Sequence, residues 1–283
     1  MIADLIYDVG MNNGDDTAFY LHRGYRVLAI EANPDLVASA VNRFRNEIAS
    51  NQLTILNIGI ASEEGELPFW ICETQPEWSS FHRSIAARNG CAHREIRVRS
   101  KTFISILRNY GTPFYLKVDI EGNDPLCLQG IIPEDLPKFV SVEGGPPSML
   151  RPLLDFGFTR FKCISQFNLL PIQCTPTTAQ RRYEFSRWLN TSQRSPVRQF
   201  RSTSIGRRWI HRELGRPRRF GDWTFPHGSS GPFGDDLPGR WLDFDELLRT
   251  YEDFLLRQQR REPGLFWKET AYSFWIDYHA RRD

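Results

Sequence analysis

Acidic residues and glycines with a regular spacing stand near the start of the chain. Asp8 ends the short apolar segment 4–8, and Gly10 and Gly14 follow it. The spacing Gly-x-x-x-Gly predicts a tight turn whose backbone conformation and close approach to a ligand a Cβ would prevent. A helix is expected to follow, with the free N–H groups of its first turn facing the ligand. Because Asp8 precedes this turn, the pattern favours a cationic cofactor over a pyrophosphate. S-adenosylmethionine carries such a charge.

A second acid stands where the same cofactor needs one. The β-rich segment 26–30 is followed by Glu31, 21 residues after Gly10. This spacing predicts Glu31 at the carboxyl end of the neighbouring parallel strand, where its oxygens accept both hydroxyls of a ribose. The alternative is a sheet of the same type whose loop binds nothing.

Two further predicted strands also end in acids. Asp119 and Glu121 follow the apolar segment 114–118, and Glu143 follows the segment 139–142. In an open α/β sheet the carboxyl ends of the strands form the ligand crevice. These acids are therefore candidates for the chemistry of the site.

Three segments in this order resemble the signatures of a known family. The segments 8–14 (DVGMNNG), 31–34 (EANP) and 117–122 (KVDIEG) are similar to those of the FkbM-type S-adenosylmethionine-dependent methyltransferases. Met11 stands where the family has alanine, and Glu-Ala-Asn-Pro stands where the family has Glu-Pro-x-Pro. The resemblance covers residues 4 to about 165.

The resemblance implies a role for individual residues. Glu31 would take the ribose, and Asp119 would face the methyl group. Five residues would surround the methionine end of the cofactor, namely Asp8, Gly10, Asn12, Gly14 and Thr17. The adenine is expected at the ends of the second and third strands, beside Ala32, Ile60 and Ala61.

We predict an O-methyltransferase that acts on a hydroxyl of a sugar, a glycolipid or a polyketide-like small molecule. Such an enzyme aligns the acceptor oxygen with the S–CH3 bond and excludes water, and a base takes the proton as the new bond forms. The candidates for this base are Asp119, Glu121, Glu143 and His227. The alternatives are an N- or carboxyl-methyltransferase acting on a peptide, and a cofactor-binding interaction module without catalysis. A nicotinamide-dependent oxidoreductase is disfavoured because GxGxxG is missing.

Alternating strands and helices are predicted to position these residues. Apolar periodicity predicts helices over 15–23 and 34–50 and a third buried strand over 53–60. Two strands, 66–71 and 95–100, flank an irregular loop, 73–94, which is either a lid or a long excursion of the chain.

The expected fold class is α/β, a class I methyltransferase Rossmann-like sheet that is mostly parallel. Methyltransferases of this architecture have an antiparallel last strand, and the remaining β candidate is 270–279. We predict a core over 1–170, a largely helical and loop insertion over 171–268, and the last strand with the C terminus over 269–283. Because the first strand begins near Met1, the insertion and the loop 73–94 are expected to cover the substrate.

The insertion has an uneven distribution of charge. Segment 181–219 carries twelve arginines against two glutamates, and segment 222–253 carries eight acids against two arginines. The net charge of +2 does not favour nucleic acid as a partner. A face for phosphate, sulfate or carboxylate and an internally paired helix both remain open. The loop 221–239, which holds His227, is either a linker or a surface for sugar-like ligands.

Composition predicts a cytoplasmic enzyme. The chain of 283 residues is 40% hydrophobic and 25% charged, and it has neither a signal peptide pattern nor an apolar run long enough to span a membrane. The five cysteines are odd in number and form no CxxC pair, which predicts reduced thiols. The spacing of Cys72, Cys91, His82 and His93 matches no common zinc site, so no metal is expected.

Overall fold

The chain forms two compact units. The structure, a computed structural model, describes residues 1–173, 177–215, 218–260 and 275–283. The first unit contains residues 1–160 and 278–283, and the second contains residues 161–277. The first unit is therefore interrupted once in the sequence and completed by the C terminus.

Twelve strands occur within the described residues. They are β1 (Ile2–Val9), β2 (Arg26–Ile30), β3 (Leu53–Leu56), β4 (Gly59–Ile60), β5 (Gly65–Cys72), β6 (His93–Lys101), β7 (Pro113–Val118), β8 (Phe139–Glu143), β9 (Arg160–Ser165), β10 (Arg218–Phe220), β11 (Trp223–Phe225) and β12 (Ile276–Arg281). The main sheet has seven strands in the order β3-β2-β1-β7-β8-β12-β9, and smaller sheets join β4-β6-β5 and β10-β11. The pairs β1/β2, β1/β7, β2/β3 and β7/β8 are parallel.

The last strand runs against the others. The N–H of Arg282 donates to the carbonyl of Lys138, before β8 begins, and the hydroxyl of Tyr278 donates to the carbonyl of Gly145, after β8 ends. β12 is thus antiparallel to β8, which confirms the expected antiparallel last strand. This strand begins at Ile276, and residues 270–274 of the predicted strand lie outside the described residues.

Buried apolar runs form the centre of the first unit. Ile6, Tyr7 and Val9 of β1 and Leu116 of β7 are fully buried. Central parallel strands have both faces covered, which is why their sequences read as nearly continuous apolar runs. These strands hold the loops at their carboxyl ends in fixed positions.

Eleven α-helices occur within the described residues. They are α1 (Asp15–His22), α2 (Pro34–Arg43), α3 (Arg45–Ala49), α4 (Arg83–Ala86), α5 (Phe103–Tyr110), α6 (Asp124–Gln129), α7 (Arg151–Asp155), α8 (Thr178–Thr191), α9 (Ser195–Ser202), α10 (Ser204–Leu214) and α11 (Phe244–Arg260). None of them, in the part of the chain that the structure describes, is long and apolar enough to cross a membrane.

The helix predicted over 34–50 is divided into α2 and α3 at Phe44. The backbone of Phe44 leaves the helical region, with φ −111° and ψ 35°, and its side chain is buried. The Phe44 ring packs against Gly14, where an added Cβ would lie 2.6 Å from the ring. Periodicity predicted one helix because it could not show that Phe44 turns toward the N-terminal loop.

The second unit has its own core. Phe161, at the start of β9, packs against Phe244 of α11 with ring centroids 5.4 Å apart. The loop 221–239 contributes to this core, because Phe225 and Phe233 are buried while His227 is exposed. Two of the three aromatic residues of this loop are therefore packing residues.

Candidate functional site

A cleft opens at the carboxyl ends of strands in the first unit. It lies where β1, β2, β4 and β7 end. Six of the predicted cofactor residues line it, namely Gly10, Asn12, Glu31, Ala32, Ile60 and Asp119. The candidate base Glu121 lines it as well. The topology thus brings together residues from three separate sequence signatures.

Glu31 is held at the cleft by two backbone hydrogen bonds. Its Oε2 accepts from the N–H of Asn12 and its Oε1 from the N–H of Asn33, each at 2.8 Å. Burial raises the pKa of Glu31, and these two hydrogen bonds lower it in part. Each carboxylate oxygen has a second lone pair, so Glu31 can accept from a ligand without losing its own support.

Gly10 allows two loops to approach each other closely. Its φ of +88° favours glycine, and a Cβ at this position would lie 1.7 Å from the carbonyl oxygen of Asp119. The loops after β1 and β7 therefore contact each other directly. This contact brings Asp119 to the same cleft as Glu31.

Lys117 lies among three carboxylates beneath the cleft. Its Nζ lies 3.1 Å from Asp8 Oδ1, 3.5 Å from Asp16 Oδ2 and 3.7 Å from Asp119 Oδ2. Burial alone would lower the pKa of Lys117, but the charges of Asp8, Asp119 and Asp16 outweigh it and hold this pKa well above its usual value. Sequence reasoning missed this role, although one lysine within the buried segment FYLKV was a usable signal.

Several predicted cofactor residues do not line the cleft. Asp8 is fully buried, and Thr17 donates to its Oδ2 at 2.6 Å, so both belong to the group around Lys117. Gly14 precedes α1 with φ +79° and packs against Phe44. Ala61 is buried next to the lining residue Ile60. Direct contact of these four residues with a cofactor stays a prediction.

Glu121 has an unusual backbone and a strong partner. Its φ is +51°, in the left-handed region that a glutamate rarely adopts. Arg88 binds its carboxylate with both guanidinium nitrogens, Nη2 at 2.7 Å from Oε1 and Nη1 at 3.2 Å from Oε2. Burial and the nearby charge of Asp119 raise the pKa of Glu121 to about 7, although Arg88 lowers it. A strained backbone and a raised pKa together are typical of functional positions.

The loop 73–94 forms one wall of the cleft. Pro76, Glu77, Ser79 and Phe81 line the cleft, and the ring of Phe81 packs where a Cβ on Gly59 would lie. The hydroxyl of Ser80 donates to the carbonyl of Glu121 at 2.6 Å. The guanidinium of Arg88 lies 4.1 Å above the ring of Trp78. Sequence reasoning identified this loop and missed Arg88, because nothing local marks an arginine as the partner of a distant acid.

A disulfide closes this loop. Cys72 and Cys91 are bonded, with Cα atoms 6.4 Å apart, so the prediction of reduced thiols is wrong for this pair. Cys127 and Cys163 are free and buried, and Cys174 lies outside the described residues. The sequence pattern could not show the pairing because the two cysteines are 19 residues apart and meet only when β5 and β6 align.

The two remaining candidate bases are Glu143 and His227. Glu143 ends β8, and His227 belongs to the second unit, where its ring lies 5.8 Å from that of Trp275. Within the described residues, no group of three or more His, Cys, Asp or Glu side chains could hold a metal ion. The structure therefore brings Asp119 and Glu121 to the cleft, and a catalytic role for Glu143 or His227 stays a prediction.

The cleft combines an apolar wall with a row of acids. Ala32, Ile60, Phe69 and Phe81 supply apolar surface on which a flat ring can pack, and Glu31, Asp119 and Glu121 supply carboxylates. This set of groups suits a ligand that joins an aromatic base, a ribose and a cationic centre.

Comparisons with known proteins give one family model and several structures that match part of the chain. The model of the methyltransferase FkbM domain matches residues 8–156. No curated protein sequence matches the chain. A structure of methyltransferase FkbM from Methylobacillus flagellatus KT is 17% identical, with a TM-score of 0.35 over 50% of this chain and 32% of that chain.

Two other methyltransferase structures are similar at the same level. Precorrin-6y C5,15-methyltransferase from Geobacter metallireducens GS-15 is 13% identical over 57% of this chain and 66% of that chain, with a TM-score of 0.34. The 1,6-didemethyltoxoflavin-N1-methyltransferase from Burkholderia thailandensis, with bound 1,6-didemethyltoxoflavin and S-adenosylhomocysteine, is 13% identical over 55% of this chain and 60% of that chain, with a TM-score of 0.28. The chain spans about a third of the first structure and less than two thirds of the other two.

Proposed function

This chain belongs to the FkbM methyltransferase domain family, and from that premise we propose that it transfers a methyl group from S-adenosylmethionine to a small-molecule acceptor. The acceptor group in this proposal is a hydroxyl of a sugar, a glycolipid or a polyketide-like molecule. The observation that carries the proposal is the cleft that brings Glu31, Asp119 and Glu121 to one sheet edge.

The side chains at the cleft fit this cofactor. Glu31 retains one free lone pair on each oxygen after its two backbone bonds, as a pair of ribose hydroxyls requires. Asp119 is one-third exposed, with its side chain 34% accessible, and its charge suits a sulfonium or an amino group. The apolar wall with Ala32 and Ile60 suits the adenine.

The acids after β7 supply the proton transfer in this proposal. The bound cofactor supplies an electrophilic methyl group. Glu121 has a pKa of about 7 and lines the cleft, so near neutral pH it is present as both acid and base. Asp119 lies beside it and is the second candidate. Either carboxylate would take the proton from the acceptor hydroxyl at its own oxygen.

The acids of the cleft also favour a second candidate, N-methylation of an amine. Glu31, Glu77, Asp119 and Glu121 all line the cleft, and the lining residues within the described part of the chain include no lysine or arginine. A cleft with this charge attracts a cationic amine, and one of the carboxylates would take its proton before the nitrogen attacks the methyl group. The two candidates differ in the atom that is methylated.

We also propose that residues of the second unit determine which acceptor molecule is methylated. His227→Ala in the loop 221–239 is expected to change the KM for the acceptor and to leave cofactor affinity unchanged. The cytoplasmic location also stays part of this proposal.

Cofactor binding is tested by thermal unfolding with added ligands. S-adenosylmethionine or S-adenosylhomocysteine is expected to raise the Tm, and NAD is expected to leave it unchanged. Glu31→Gln should remove most of the rise, while Glu95→Gln, an exposed acid on β6, should keep it. An equal rise with NAD, or none with any of the three ligands, would refute the cofactor assignment.

The reaction is tested with cofactor that carries a labelled methyl group. Sugar, lipid and amine extracts are offered separately, and the mass and the labelled atom of each product are determined. Label on oxygen supports the first candidate and label on nitrogen the second. Glu121→Gln and Asp119→Asn are then compared by kinetics and calorimetry, since loss of the base lowers kcat much more than cofactor affinity, whereas loss of a group that only holds the cofactor lowers both. No labelled product, with cofactor binding retained, would favour an interaction module.

A further inference from the structure

Two large apolar side chains are exposed at one corner of the second unit. Phe200, in the last turn of α9, is 40% exposed, and Ile205, in the first turn of α10, is 70% exposed. Only a few large apolar residues within the described part of the chain reach such exposure, and Ile205 exceeds all of them. Exposed apolar residues that cluster on one surface indicate an interaction site.

The corner between α9 and α10 is held by specific contacts. The N–H and the hydroxyl of Thr203 both donate to the carbonyl of Phe200, at 3.0 and 2.7 Å, and the same hydroxyl accepts from the N–H of Gly206 at 3.0 Å. A Cβ on Gly206 would lie 2.1 Å from the carbonyl oxygen of Phe200. The helix ends are therefore in close contact, and Phe200 and Ile205 are presented at fixed positions.

Arginines surround this corner. Arg198, Arg207 and Arg208 are exposed, and none of them has an ion-pair partner among the described residues. Arg208 lies one turn after Ile205 on the same helix face. Because α9 and α10 are short helices of 8 and 11 residues, these charges lie within about 10 to 20 Å of the two apolar side chains.

Glu213, the acid of α10, does not cancel this charge at the surface. Glu213 of α10 is buried and lies 3.3 Å from Arg212. The corner therefore combines exposed apolar groups with an excess of positive charge. A helix that only faces water would carry polar residues rather than an exposed isoleucine. A site for the phosphates of a nucleic acid would not be strengthened by an exposed isoleucine either.

We propose that the α9–α10 corner binds the surface of an anionic lipid membrane. Phe200 and Ile205 enter the boundary between headgroups and acyl chains, and Arg198, Arg207 and Arg208 pair with the lipid phosphates and carboxylates. The binding is peripheral. It brings the second unit to a surface that also holds lipid-linked molecules.

The test uses the full chain and vesicles of two compositions. Sedimentation with vesicles of phosphatidylcholine and phosphatidylserine should carry the protein down, and vesicles of phosphatidylcholine alone should not. Raising the salt concentration should weaken the binding. Ile205→Ser or Phe200→Ser should each weaken it about tenfold. Each of Arg198→Gln, Arg207→Gln and Arg208→Gln should weaken it about fivefold.

Matched variants elsewhere control for nonspecific effects. Val41→Ser replaces an exposed apolar residue of α2, and Arg249→Gln replaces an exposed arginine of α11. Both should bind the anionic vesicles as the natural chain does. Circular dichroism of every variant shows whether it is folded.

Three results would overturn the proposal. They are equal binding to neutral and anionic vesicles, no binding to either, and binding to duplex DNA that exceeds vesicle binding and is unaffected by Ile205→Ser. The last result would assign the arginines to nucleic acid instead. All three are independent of whether the chain transfers a methyl group.

Discussion

In the first unit Lys117 is 4% exposed and is enclosed by Asp8, Asp16 and Asp119, whereas in the second unit Arg198 and Arg208 are exposed without an ion-pair partner among the described residues. A buried cation must be paired, because an isolated charge in a medium of low polarity is very unfavourable. An exposed cation is stabilised by water and is free to meet a partner. Burial therefore gives the first group a structural role at the cleft, and exposure leaves the second group available for the membrane binding that we propose.

The largest expected effect is that of removing the buried cation. Lys117→Met should lower the free energy of unfolding by about 3 to 5 kcal/mol, because Asp8 would remain buried without its partner. Urea unfolding measures this difference. Arg198→Met, on the exposed surface, should change the same free energy by less than about 0.5 kcal/mol.

A double variant sharpens this result. Asp8→Asn combined with Lys117→Met removes both charges, and it should recover part of the stability that Lys117→Met loses. Equal losses for Lys117→Met and Arg198→Met would show that burial does not distinguish the two groups.

The disulfide is expected to have the next largest effect. Cys91→Ser should lower the free energy of unfolding by about 3 kcal/mol, because the bond closes a loop with a sequence separation of 19 residues. Cofactor affinity should fall with it, since Phe81 and Ser79 of this loop line the cleft. Calorimetry and urea unfolding measure both effects. Dithiothreitol should destabilise the natural chain and leave Cys91→Ser unchanged, and an equal response of the two proteins would contradict the prediction.

The protonation of Glu121 is expected to make stability depend on pH. Its pKa is raised from 4.5 to about 7 in the folded chain, so between these values the folded state binds more protons than the unfolded state. The free energy of unfolding should therefore fall as pH rises through this window, by on the order of 3 kcal/mol. Urea unfolding across this pH range should show a smaller fall for Glu121→Gln.

Arg88 provides a control for the same carboxyl group. Arg88→Gln removes the charge that lowers the pKa of Glu121, so the midpoint of the fall should move to higher pH. If Glu121 is also the base, the pH profile of kcat should move in the same direction. A midpoint that stays in place would show that Arg88 does not control this protonation.

The smallest expected effect lies at the α9–α10 corner. Thr203→Ala removes the side-chain cap of α10 and should lower the free energy of unfolding by about 1 kcal/mol. Thr203→Ser keeps the capping oxygen and should lower the free energy of unfolding much less.

Ile205→Ser changes an exposed position. It should leave thermal and urea unfolding nearly unchanged while it weakens vesicle binding. A large loss of stability from Ile205→Ser would show that this side chain is part of the core.

The sequence by itself determined the sheet edge and the elements that form it. Glu31 and Asp119 were assigned to strand ends, and both line the cleft, because apolar runs followed by acids are local patterns. The antiparallel last strand followed from the resemblance and the order of elements. The break between α2 and α3 at Phe44 could not be predicted from the sequence, because it depends on packing against Gly14.

Only the tertiary structure decided which charged groups and cysteines are partners. Arg88 pairs with Glu121, which is 33 residues away in the sequence. Lys117 donates to the carbonyl of Gly10, which is 107 residues away. Cys72 and Cys91 are bonded because β5 and β6 place them side by side. A local pattern specifies the conformation of a segment and the face that it buries. It does not specify which distant side chain reaches the same point, since that depends on how the strands and loops pack together.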